Sequence, residues 1–395
     1  MSTHDPKPED NGPAVTPSDK LGDLAARAGI RRIHILAWRD LADVEAGGSE
    51  LHASSVAAKW AEAGLEVLMR TSYAQGAPPE TVRDGYSVVR RGGRYMIFPR
   101  AATSEMAGRR GRRDALVEIW NGVPFFSPIW ARGPRATWLH HVHEDMWPMV
   151  LPPRLARAGQ VLERNVAPPF YRWSPIVTLS DSSRRHIVDR MKIPAERIKV
   201  VPPGISERYS PGGDESPEPT VLAVGRLMPA KDFPALIRAM NVVRQDQPRA
   251  RLIVVGEGYE RLRLEQISHD LDAEQWCDLR GRVGPDELLS LYRSAWLVAS
   301  ASRAEGWGMT LTEAAACATP AVATRIPGHI DAVRDQVTGV LVDSDDELAA
   351  AIGGLLRNHD QRRTMGQAAR EFASSLTWDR TAYDTLEVLA SQRRR

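Results

Sequence analysis

Two carboxylates stand at the ends of a glycine-containing segment in the second half of the chain. Residues 305–313 read EGWGMTLTE, which places Glu305 and Glu313 eight positions apart. Glycine is unfavourable inside a helix, so Gly306 and Gly308 argue against one helix through the whole segment. We predict that Glu305 lies on a loop and that a helix begins near Met309.

The start of this predicted helix has the chemistry of an anion site. The first N–H groups of a helix lack intrahelical partners and lie at the positive end of its dipole. Here they belong to Gly308, Met309 and Thr310. Glu305 and Glu313, one on each side, are placed to accept hydrogen bonds from sugar hydroxyls. The alternative explanation is that both acids only complement the helix dipole.

Two cations follow a predicted strand over residues 220–226. Gly225 and Arg226 end that strand, and Lys231 and Asp232 come just before the next predicted helix. Arginine can bind phosphate oxygens with two parallel hydrogen bonds, whereas lysine supplies a point charge. Asp232 is predicted to cap the helix.

Gly256, Glu257 and Gly258 end the next predicted strand, over residues 251–256. Glycines there allow the backbone to approach a ligand closely, although by themselves they favour a simple turn. Ligands of α/β sheets bind outside the carboxyl ends of the strands. We therefore predict that these residues and the cations line one crevice.

A glycine turn also follows the first strand of the chain. Gly47 and Gly48 precede a predicted amphipathic helix, Glu50–Ala63, for which Ser49 is the expected N-cap. Such a turn exposes amides to phosphate or sugar oxygens. The alternative is a tight strand-to-helix connection without a ligand.

Three histidines, His140, His141 and His143, follow a predicted strand over residues 135–140. On an extended segment His141 and His143 share one face and His140 takes the other, which is poor geometry for a metal site. The chain has only two cysteines, Cys277 and Cys317, so a disulfide framework or a cysteine-based zinc site is excluded. We predict no metal.

Apolar runs alternate with helical patterns along the chain, which predicts an α/β protein with parallel sheets. The strands expected in the first half are Arg32–Trp38, Leu65–Thr71, Tyr95–Phe98, Ala115–Trp120, Arg135–His140 and Pro175–Ser180. Those expected in the second half are Thr220–Arg226, Arg251–Gly256, Cys277–Gly281, Ala295–Ala301, Ala321–Thr324 and Gly339–Val342. Two sets of about six strands predict two separate sheets.

The domain boundary is predicted near residue 212, where residues 210–219 (SPGGDESPEP) have the composition of a linker. Residues 1–28 are polar and proline-rich and are interpreted as a disordered tail. The first domain then covers 29–211 and the second 212–375. Residues 376–395 contain an amphipathic terminal helix.

The motifs of the second domain resemble the family 4 glycosyltransferases. They are VGRL at 224–227 with KD at 231–232, VGEG at 255–258, and the segment EGWGMTLTEAAA at 305–316. The resemblance covers about residues 31–390. It implies the GT-B fold, in which two Rossmann-like, doubly wound domains face each other across a cleft, with the last helix crossing back to the first domain.

The resemblance also implies an activity. It is transfer of a hexose of the mannose, glucose or N-acetylglucosamine class from a UDP- or GDP-sugar to an acceptor hydroxyl, with retention of configuration and in cell-envelope glycolipid or polysaccharide synthesis. The nucleotide sugar is a co-substrate, and neither a metal nor a cofactor is required. The first domain then selects the acceptor.

Residue roles follow from the same resemblance. Arg226 and Lys231 would bind the donor diphosphate, Glu305 the hydroxyls of the transferred sugar and Glu313 the ribose hydroxyls. The remaining donor contacts would come from the glycine turn, the second strand end, the base-proximal segment and the helix start: Gly47, Gly48, Gly225, Gly256, Glu257, Arg282, Val283, Gly308, Met309 and Thr310.

A histidine at the end of the equivalent strand reaches the donor sugar in the resembled family. His140 is its best match in this chain, and His141 and His143 remain alternatives.

The formal net charge of +2 conceals an asymmetry between the two halves. Residues 1–205 carry 29 Lys and Arg against 22 Asp and Glu, with nine arginines and two acids between Arg83 and Arg113. This excess suits a phosphorylated or lipid-linked acceptor, or contact with an anionic membrane, and a solvated arginine-rich face explains it at least as well. Nucleic acid is not an expected partner.

Residues 152–173 mix arginines with large apolar side chains. The segment either lies on a membrane surface or forms a core helix with exposed arginines. Without an apolar run of spanning length or a signal peptide, the expected location is the cytoplasm, with peripheral contact at the inner face of the membrane.

Two other classes of protein remain to be distinguished. One is a nucleotide-sugar epimerase on the same fold, which needs no acceptor. The other is a non-catalytic nucleotide- or polyanion-binding protein. A Rossmann dehydrogenase is disfavoured because no Gly-x-Gly-x-x-Gly follows the first strand of either half.

Overall fold

A computed structural model describes residues 16–392. The chain forms two α/β domains, each built on one mainly parallel sheet. The first sheet has eight strands: β1 Arg32–Leu36, β2 Glu66–Thr71, β3 Glu80–Arg83, β4 Tyr86–Arg90, β5 Ala115–Ile119, β6 Arg135–Trp138, β7 Ile176–Thr178 and β8 Ile198–Val200. The second has six: β9 Thr220–Val224, β10 Arg251–Val255, β11 Cys277–Gly281, β12 Leu297–Ser300, β13 Ala321–Thr324 and β14 Gly339–Val342.

Helices cover the faces of both sheets. Those of the first half are α1 Pro17–Ala28, α2 Gly48–Glu62, α3 Ile97–Met106, α4 Ser127–Trp130, α5 Trp147–Val150, α6 Pro153–Val161, α7 Pro168–Tyr171 and α8 Asp181–Met191. Those of the second are α9 Phe233–Asp246, α10 Arg261–Asp270, α11 Pro285–Ser294, α12 Met309–Ala316, α13 His329–Ala332, α14 Asp345–Arg357, α15 His359–Ala373 and α16 Trp378–Ser391.

The strand order is that of doubly wound sheets. It runs β3-β4-β2-β1-β5-β6-β7-β8 in the first sheet and β11-β10-β9-β12-β13-β14 in the second. Among the named strands the pairings are parallel, except for the antiparallel pair β3 and β4. The central strands are mostly apolar and buried because helices cover both of their faces. These sheets confirm the predicted α/β class.

The sequence located eleven of the twelve expected strands to within a few residues. The prediction at Tyr95–Phe98 is wrong, because helix α3 begins at Ile97 and follows a turn. The hairpin of β3 and β4 was missed although Asp84 and Gly85, both with positive φ, form its turn. An Asp-Gly pair is the usual signal for such a hairpin.

The N-cap of α2 also differs from the prediction. Gly47, not Ser49, precedes the first helical residue, and its N–H donates to Glu50 Oε2 at 2.8 Å. Glycine is tolerated there because the Glu50 carboxylate supplies the capping interaction from the third helical position.

Part of the segment interpreted as a disordered tail is helical. Residues 17–28 form α1, which Thr16 caps and Gly29 ends in a left-handed conformation. Leu21, Leu24 and Ala25 are buried because α1 packs on α2 and α16. Residues 1–15 lie outside the described part of the chain.

The last helix belongs to the core of the first domain. Ala382, Leu386 and Leu389 of α16 pack with Trp60 and Trp138, and Trp60 Nε1 donates to the Ala382 carbonyl at 3.0 Å. The chain thus crosses between the domains twice, once between β8 and β9, where the predicted boundary lies, and once before α16.

Candidate active site

The loops that follow β9, β10 and β11 pack directly on one another. The Gly225 N–H donates to the Val255 carbonyl at 2.9 Å, and the Gly256 N–H donates to the Gly281 carbonyl at 2.8 Å. Gly256 has a φ of +148°, and a Cβ there would lie 1.8 Å from the Gly225 oxygen. Only glycine fits. The predicted strand-end residues therefore line one edge, and Glu257 is exposed beside them.

Lys231 and Glu305 form an ion pair at this edge. Lys231 ends a short 3-10 turn after β9, and Glu305 lies on the loop after β12. Ser302 Oγ also donates to Glu305 Oε1, at 3.1 Å. Burial opposes ionisation of Glu305, but the Lys231 ammonium outweighs it and holds the pKa of this carboxyl below its usual value. Glu305 is therefore ionised at neutral pH.

Helix α12 begins at Met309, as predicted from the sequence. Gly308 precedes it with a φ of +103°, a conformation that favours glycine. A Cβ on Gly308 would lie 3.0 Å from the ring of His329, which is fully buried. His329 also interacts electrostatically with Glu305, which places the start of α12 close to the Lys231–Glu305 pair.

Glu313 lies one turn into α12 and is buried. Tyr292 Oη donates to its Oε2 at 2.8 Å. Burial raises the pKa of Glu313 to about 7, although hydrogen bonds from Tyr292 and Tyr209 favour the ionised form. The pKa of Glu313 is therefore raised whereas that of Glu305 is lowered, because among the described residues Glu313 has no cation paired with it as Lys231 is paired with Glu305.

Arg226 crosses the cleft to the first domain. Its Nη1 donates to the Glu45 carbonyl at 3.0 Å. A Cβ on Gly47 would lie 3.1 Å from Arg226 Nε, and one on Gly48 would lie 3.2 Å from Met309 Sδ. The glycine turn of the first domain therefore faces the predicted phosphate-binding residues of the second.

An ion-pair network that sequence reasoning missed supports this turn. Arg39 lies 3.1 Å from Glu50 and 2.7 Å from Glu45, and both Arg39 and Glu50 are buried. Arg94 also pairs with Glu45. The position of Glu50, three residues after Gly47, is the sequence signal of a capping box, and it could have indicated this role.

The three histidines separate as the alternation predicts. The rings of His141 and His143 lie 4.1 Å apart, whereas His140 packs on the other side, with its Nε2 3.3 Å from His52 Nδ1. A Cβ on Gly306 would lie 2.7 Å from the His140 carbonyl oxygen and 3.3 Å from His141 Nδ1. The His140 backbone and the His141 ring therefore contact the Glu305 loop.

Both of these histidines are neutral at neutral pH. Burial, with His143 nearby, lowers the pKa of His140 to about 3. Burial also lowers the pKa of His141, and the charges of Arg226 and Lys231 add to the effect. Of the two histidines, only His141 has its pKa lowered by the cations of the second domain.

His143 is fixed by residues that the sequence did not single out. Glu163, fully buried on a π-helical turn over residues 162–166, accepts the His143 N–H at 2.9 Å and lies 3.2 Å from its Nδ1. Asn121 Oδ1 lies 2.7 Å from His143 Nε2. π-helical turns are frequent at functional sites, but they leave no pattern in the sequence.

The segment predicted near the nucleotide base also reaches the first domain. Arg282 Nη2 donates to the Val44 carbonyl at 2.9 Å. Val283 is half-buried and packs against the buried apolar cluster that contains Leu222 and Tyr292. In the part of the chain that the structure describes, no group of three or more His, Cys, Asp and Glu is arranged to hold a metal ion.

Two Rossmann-like domains whose strand ends face one cleft define the GT-B class of fold. Solved structures agree with this assignment. Sucrose-phosphate synthase from Thermosynechococcus elongatus superposes with a TM-score of 0.79 at 20% identity, covering 90% of this chain and 97% of that one. HepE of Anabaena, solved with UDP-glucose, gives 0.71 at 20% identity over 91% and 99% of the two chains.

Sequence comparisons define the family. The model described as Glycosyltransferase Family 4 matches residues 46–208, and the one described as Glycosyl transferases group 1 matches 209–372. The chain belongs to the family 4 glycosyltransferases, as the motifs indicated.

Curated relatives match different shares of this chain. D-inositol 3-phosphate glycosyltransferase of Salinispora tropica is 34% identical over 229 residues, 51% of this chain and 48% of that protein. The chain thus spans about half the length of this relative. The GDP-mannose-dependent α-(1-6)-phosphatidylinositol monomannoside mannosyltransferase of Mycolicibacterium smegmatis is 28% identical over 80% of this chain and 86% of that protein.

Proposed function

We propose that this protein transfers a hexose from a UDP- or GDP-sugar to an acceptor hydroxyl, with retention of configuration. The observation that carries the proposal is the Lys231–Glu305 ion pair beside the N-terminus of α12, with Arg226 opposite the Gly47–Gly48 turn. Among the similar proteins, HepE was solved with UDP-glucose, and the mycobacterial relative is named for GDP-mannose.

The departing nucleoside diphosphate gains negative charge in the transition state. Arg226, Lys231 and the free N–H groups of α12 stabilise this charge in place of a metal ion. Because these groups are held by the fold before the donor binds, little reorganisation is needed during the reaction. No cofactor takes part.

Sugar and ribose hydroxyls are oriented by the two carboxylates. Glu305, charged and close to Lys231, accepts hydrogen bonds from the transferred hexose, while Glu313 accepts them from the ribose. The neutral rings of His140 or His141 lie across the cleft from Glu305 and complete the sugar site. Orientation of this kind lowers the barrier without covalent chemistry.

Retention follows a front-face course in this proposal. The acceptor hydroxyl attacks the anomeric carbon from the side of the leaving group, the bond from that carbon to the phosphate oxygen breaks, and the acceptor proton passes to that oxygen. The cationic clamp holds the diphosphate near the attacking hydroxyl throughout.

The acceptor is a phosphorylated or lipid-linked molecule of cell-envelope glycolipid or polysaccharide synthesis. The basic first domain supports an anionic acceptor, and two relatives are named for an inositol phosphate and a phosphatidylinositol mannoside. Their names describe those proteins, and this chain spans only about half the length of the first.

Peripheral contact with the inner face of the membrane is part of the proposal. Residues 153–171 form α6, the π-helical turn and α7, on or beside which Leu155, Phe170 and Trp173 are exposed. Arginines share this surface, as anionic lipid requires. Within the described chain, no helix is both long and apolar enough to span a bilayer.

A panel of UDP- and GDP-sugars tests the donor. Calorimetry identifies the nucleotide sugar that binds most tightly. The protein is then incubated with this donor and with phosphorylated or lipid-linked acceptors, and NMR determines the anomeric configuration of the product. Lys231→Ala should weaken donor binding roughly 10- to 100-fold, since hydrogen bonds to charged groups contribute about 1.5–3 kcal/mol.

Lys199→Ala is the matched control because Lys199 is exposed on β8 of the other domain. Retained donor affinity in the Lys231 variant would contradict the donor assignment. An inverted product would contradict retention. Sugar isomerisation without an acceptor would indicate an epimerase, and nucleotide binding without turnover would indicate a non-catalytic protein.

A further inference from the structure

The first domain contains a second cavity, of about 660 Å³, that the sugar-transfer mechanism does not use. It lies between the ends of strands β2 and β4 and one side of α3. Its lining is dominated by five guanidinium groups, those of Arg70, Arg91, Arg100, Arg109 and Arg110. The donor residues, by contrast, come mainly from the second domain.

The carboxylates around this cavity do not balance its positive charge. Exposed Glu80 pairs with both Arg91 and Arg110, and buried Glu105 pairs with Arg70 at the cavity floor. Five guanidinium groups thus face two carboxylates, and Glu105 is shared with Arg113 as well.

Two arginines account for the surplus. Arg100 and Arg109 are exposed, and in the described chain neither has a carboxylate within ion-pair distance. Thr103 and Ser104 place hydroxyl groups on the same lining. Guanidinium forks with neighbouring hydroxyls match the oxygens of a phosphate group.

The floor of the cavity is rigid. Ile97 and Ala101 fix α3 in an apolar cluster, and the Glu105 carboxylate lies 2.9 Å from His34 Nδ1. Arg70 Nη2 donates to the Arg109 carbonyl at 2.6 Å, which ties the loop after α3 to strand β2. An anion would therefore meet a backbone that is already ordered, and only the exposed side chains of Arg100 and Arg109 would need to be fixed on binding.

The volume indicates the size of the ligand. Cavities of about 300–1,000 Å³ hold a small organic molecule, so this cavity is larger than a free phosphate ion requires. A phosphate carrying a sugar-sized group fits the volume and the charge together.

We propose that this arginine-lined cavity binds a phosphate ester, supplied by a soluble phosphorylated sugar or by a phospholipid headgroup. The proposal goes beyond the proposed function, because binding here requires neither the donor nor turnover. It also gives the arginine surplus between Arg83 and Arg113 a specific location.

The test measures ligand binding directly in the whole chain carrying Lys231→Ala. This substitution reduces phosphate binding at the proposed donor site. Glucose 6-phosphate is titrated by calorimetry into this background and into the same background with Arg100→Ser and Arg109→Ser. We expect saturable binding that weakens about tenfold or more in the double variant and with rising salt, as charge screening requires.

The matched control replaces Arg112 and Arg185 with serine, which removes the same charge from exposed positions outside the cavity. Its affinity should stay within about twofold of the background. A thermal melt of each variant checks folding, and Arg100→Lys with Arg109→Lys should restore part of the affinity because the charge remains.

Vesicles distinguish the two sources of phosphate. Co-sedimentation with phosphatidylglycerol but not phosphatidylcholine, lost in the serine double variant and kept in the control, supports a lipid headgroup. Loss of glucose 6-phosphate binding alone supports a soluble ester. Equal binding by the cavity and control variants, or binding to neither probe, overturns the proposal whether or not the protein transfers sugar.

Discussion

Glu313 shows how one buried carboxylate couples the site to pH. Its neighbours Tyr292 and Tyr209 donate hydrogen bonds but carry no charge, and burial raises its pKa to about 7. The unfolded value is near 4.5. The folded protein therefore holds the proton more tightly than the unfolded chain does.

The stabilising contribution of protonated Glu313 is complete below about pH 4.5 and is lost as pH rises through 7. Relative to Glu313→Gln, the wild type should lose on the order of 3 kcal/mol of unfolding free energy across this window, at 1.36 kcal/mol for each pKa unit. Denaturant titrations of both proteins from pH 4.5 to 8 measure the difference. A difference that does not vary with pH would contradict the raised pKa.

At the scale of elements, the start of α8 joins the two domains. Ser182 Oγ accepts the Gly328 N–H at 2.8 Å, and the hydroxyls of Ser180 and Ser183 donate to the Gly306 carbonyl, each at 3.3 Å. Gly306 follows Glu305 directly. Serines of the first domain thus hold the loop that carries the sugar-binding carboxylate of the second.

Ser182→Ala should leave the Gly328 N–H without a partner in a buried contact. An unpaired buried group costs about 1–3 kcal/mol, so we expect a loss of this size in unfolding free energy. Chemical denaturation measures it, with Ser87→Ala on the exposed face of β4 as the control. Equal stability of the two variants would show that the contact does not contribute.

Docking of the terminal helix α16 on the first domain leads to a second prediction at this scale. Leu386 of α16 is fully buried in the core of the first domain, and its neighbour Glu387 is exposed. Leu386→Ala should cost about 2–5 kcal/mol of unfolding free energy because it leaves a cavity, whereas Glu387→Ala should change little. Similar melting temperatures for both variants would argue against docking of α16 on that core.

At the scale of the whole molecule, two arginines of the second domain reach backbone carbonyls of the first. Arg226 binds the Glu45 carbonyl and Arg282 binds the Val44 carbonyl. The two accepting carbonyls belong to adjacent residues of one loop, so the loop before the glycine turn is the point at which the domains close.

Arg282→Ala should shift the molecule toward an open arrangement. Loss of one hydrogen bond, about 0.5–1.5 kcal/mol, lowers the ratio of closed to open molecules about two- to tenfold. Small-angle scattering should record a larger radius of gyration. Arg280→Ala is the control, since Arg280 pairs with Asp278 and Glu287 of its own domain. An unchanged radius in the Arg282 variant would rule out this role.

Local sequence signals determined much of this protein. The β9–α9 and β12–α12 motifs, the start of α12 and most strands follow from apolar runs, glycines and caps within a few residues of each other. Residues 17–28 of the predicted tail and the strand at Tyr95–Phe98 were predicted wrongly because composition does not register packing, which buries α1 on α16 and starts α3 at Ile97.

Only the tertiary structure decided which distant groups meet. The contact of Arg226 with Glu45, the contact of His140 with His52 and the raised pKa of Glu313 depend on residues far apart in the chain. Desolvation and Coulomb interactions act through space, whereas periodicity and capping act along the chain. The sequence therefore indicated the types of side chain at the site, and packing of the two domains decided their partners and their charge.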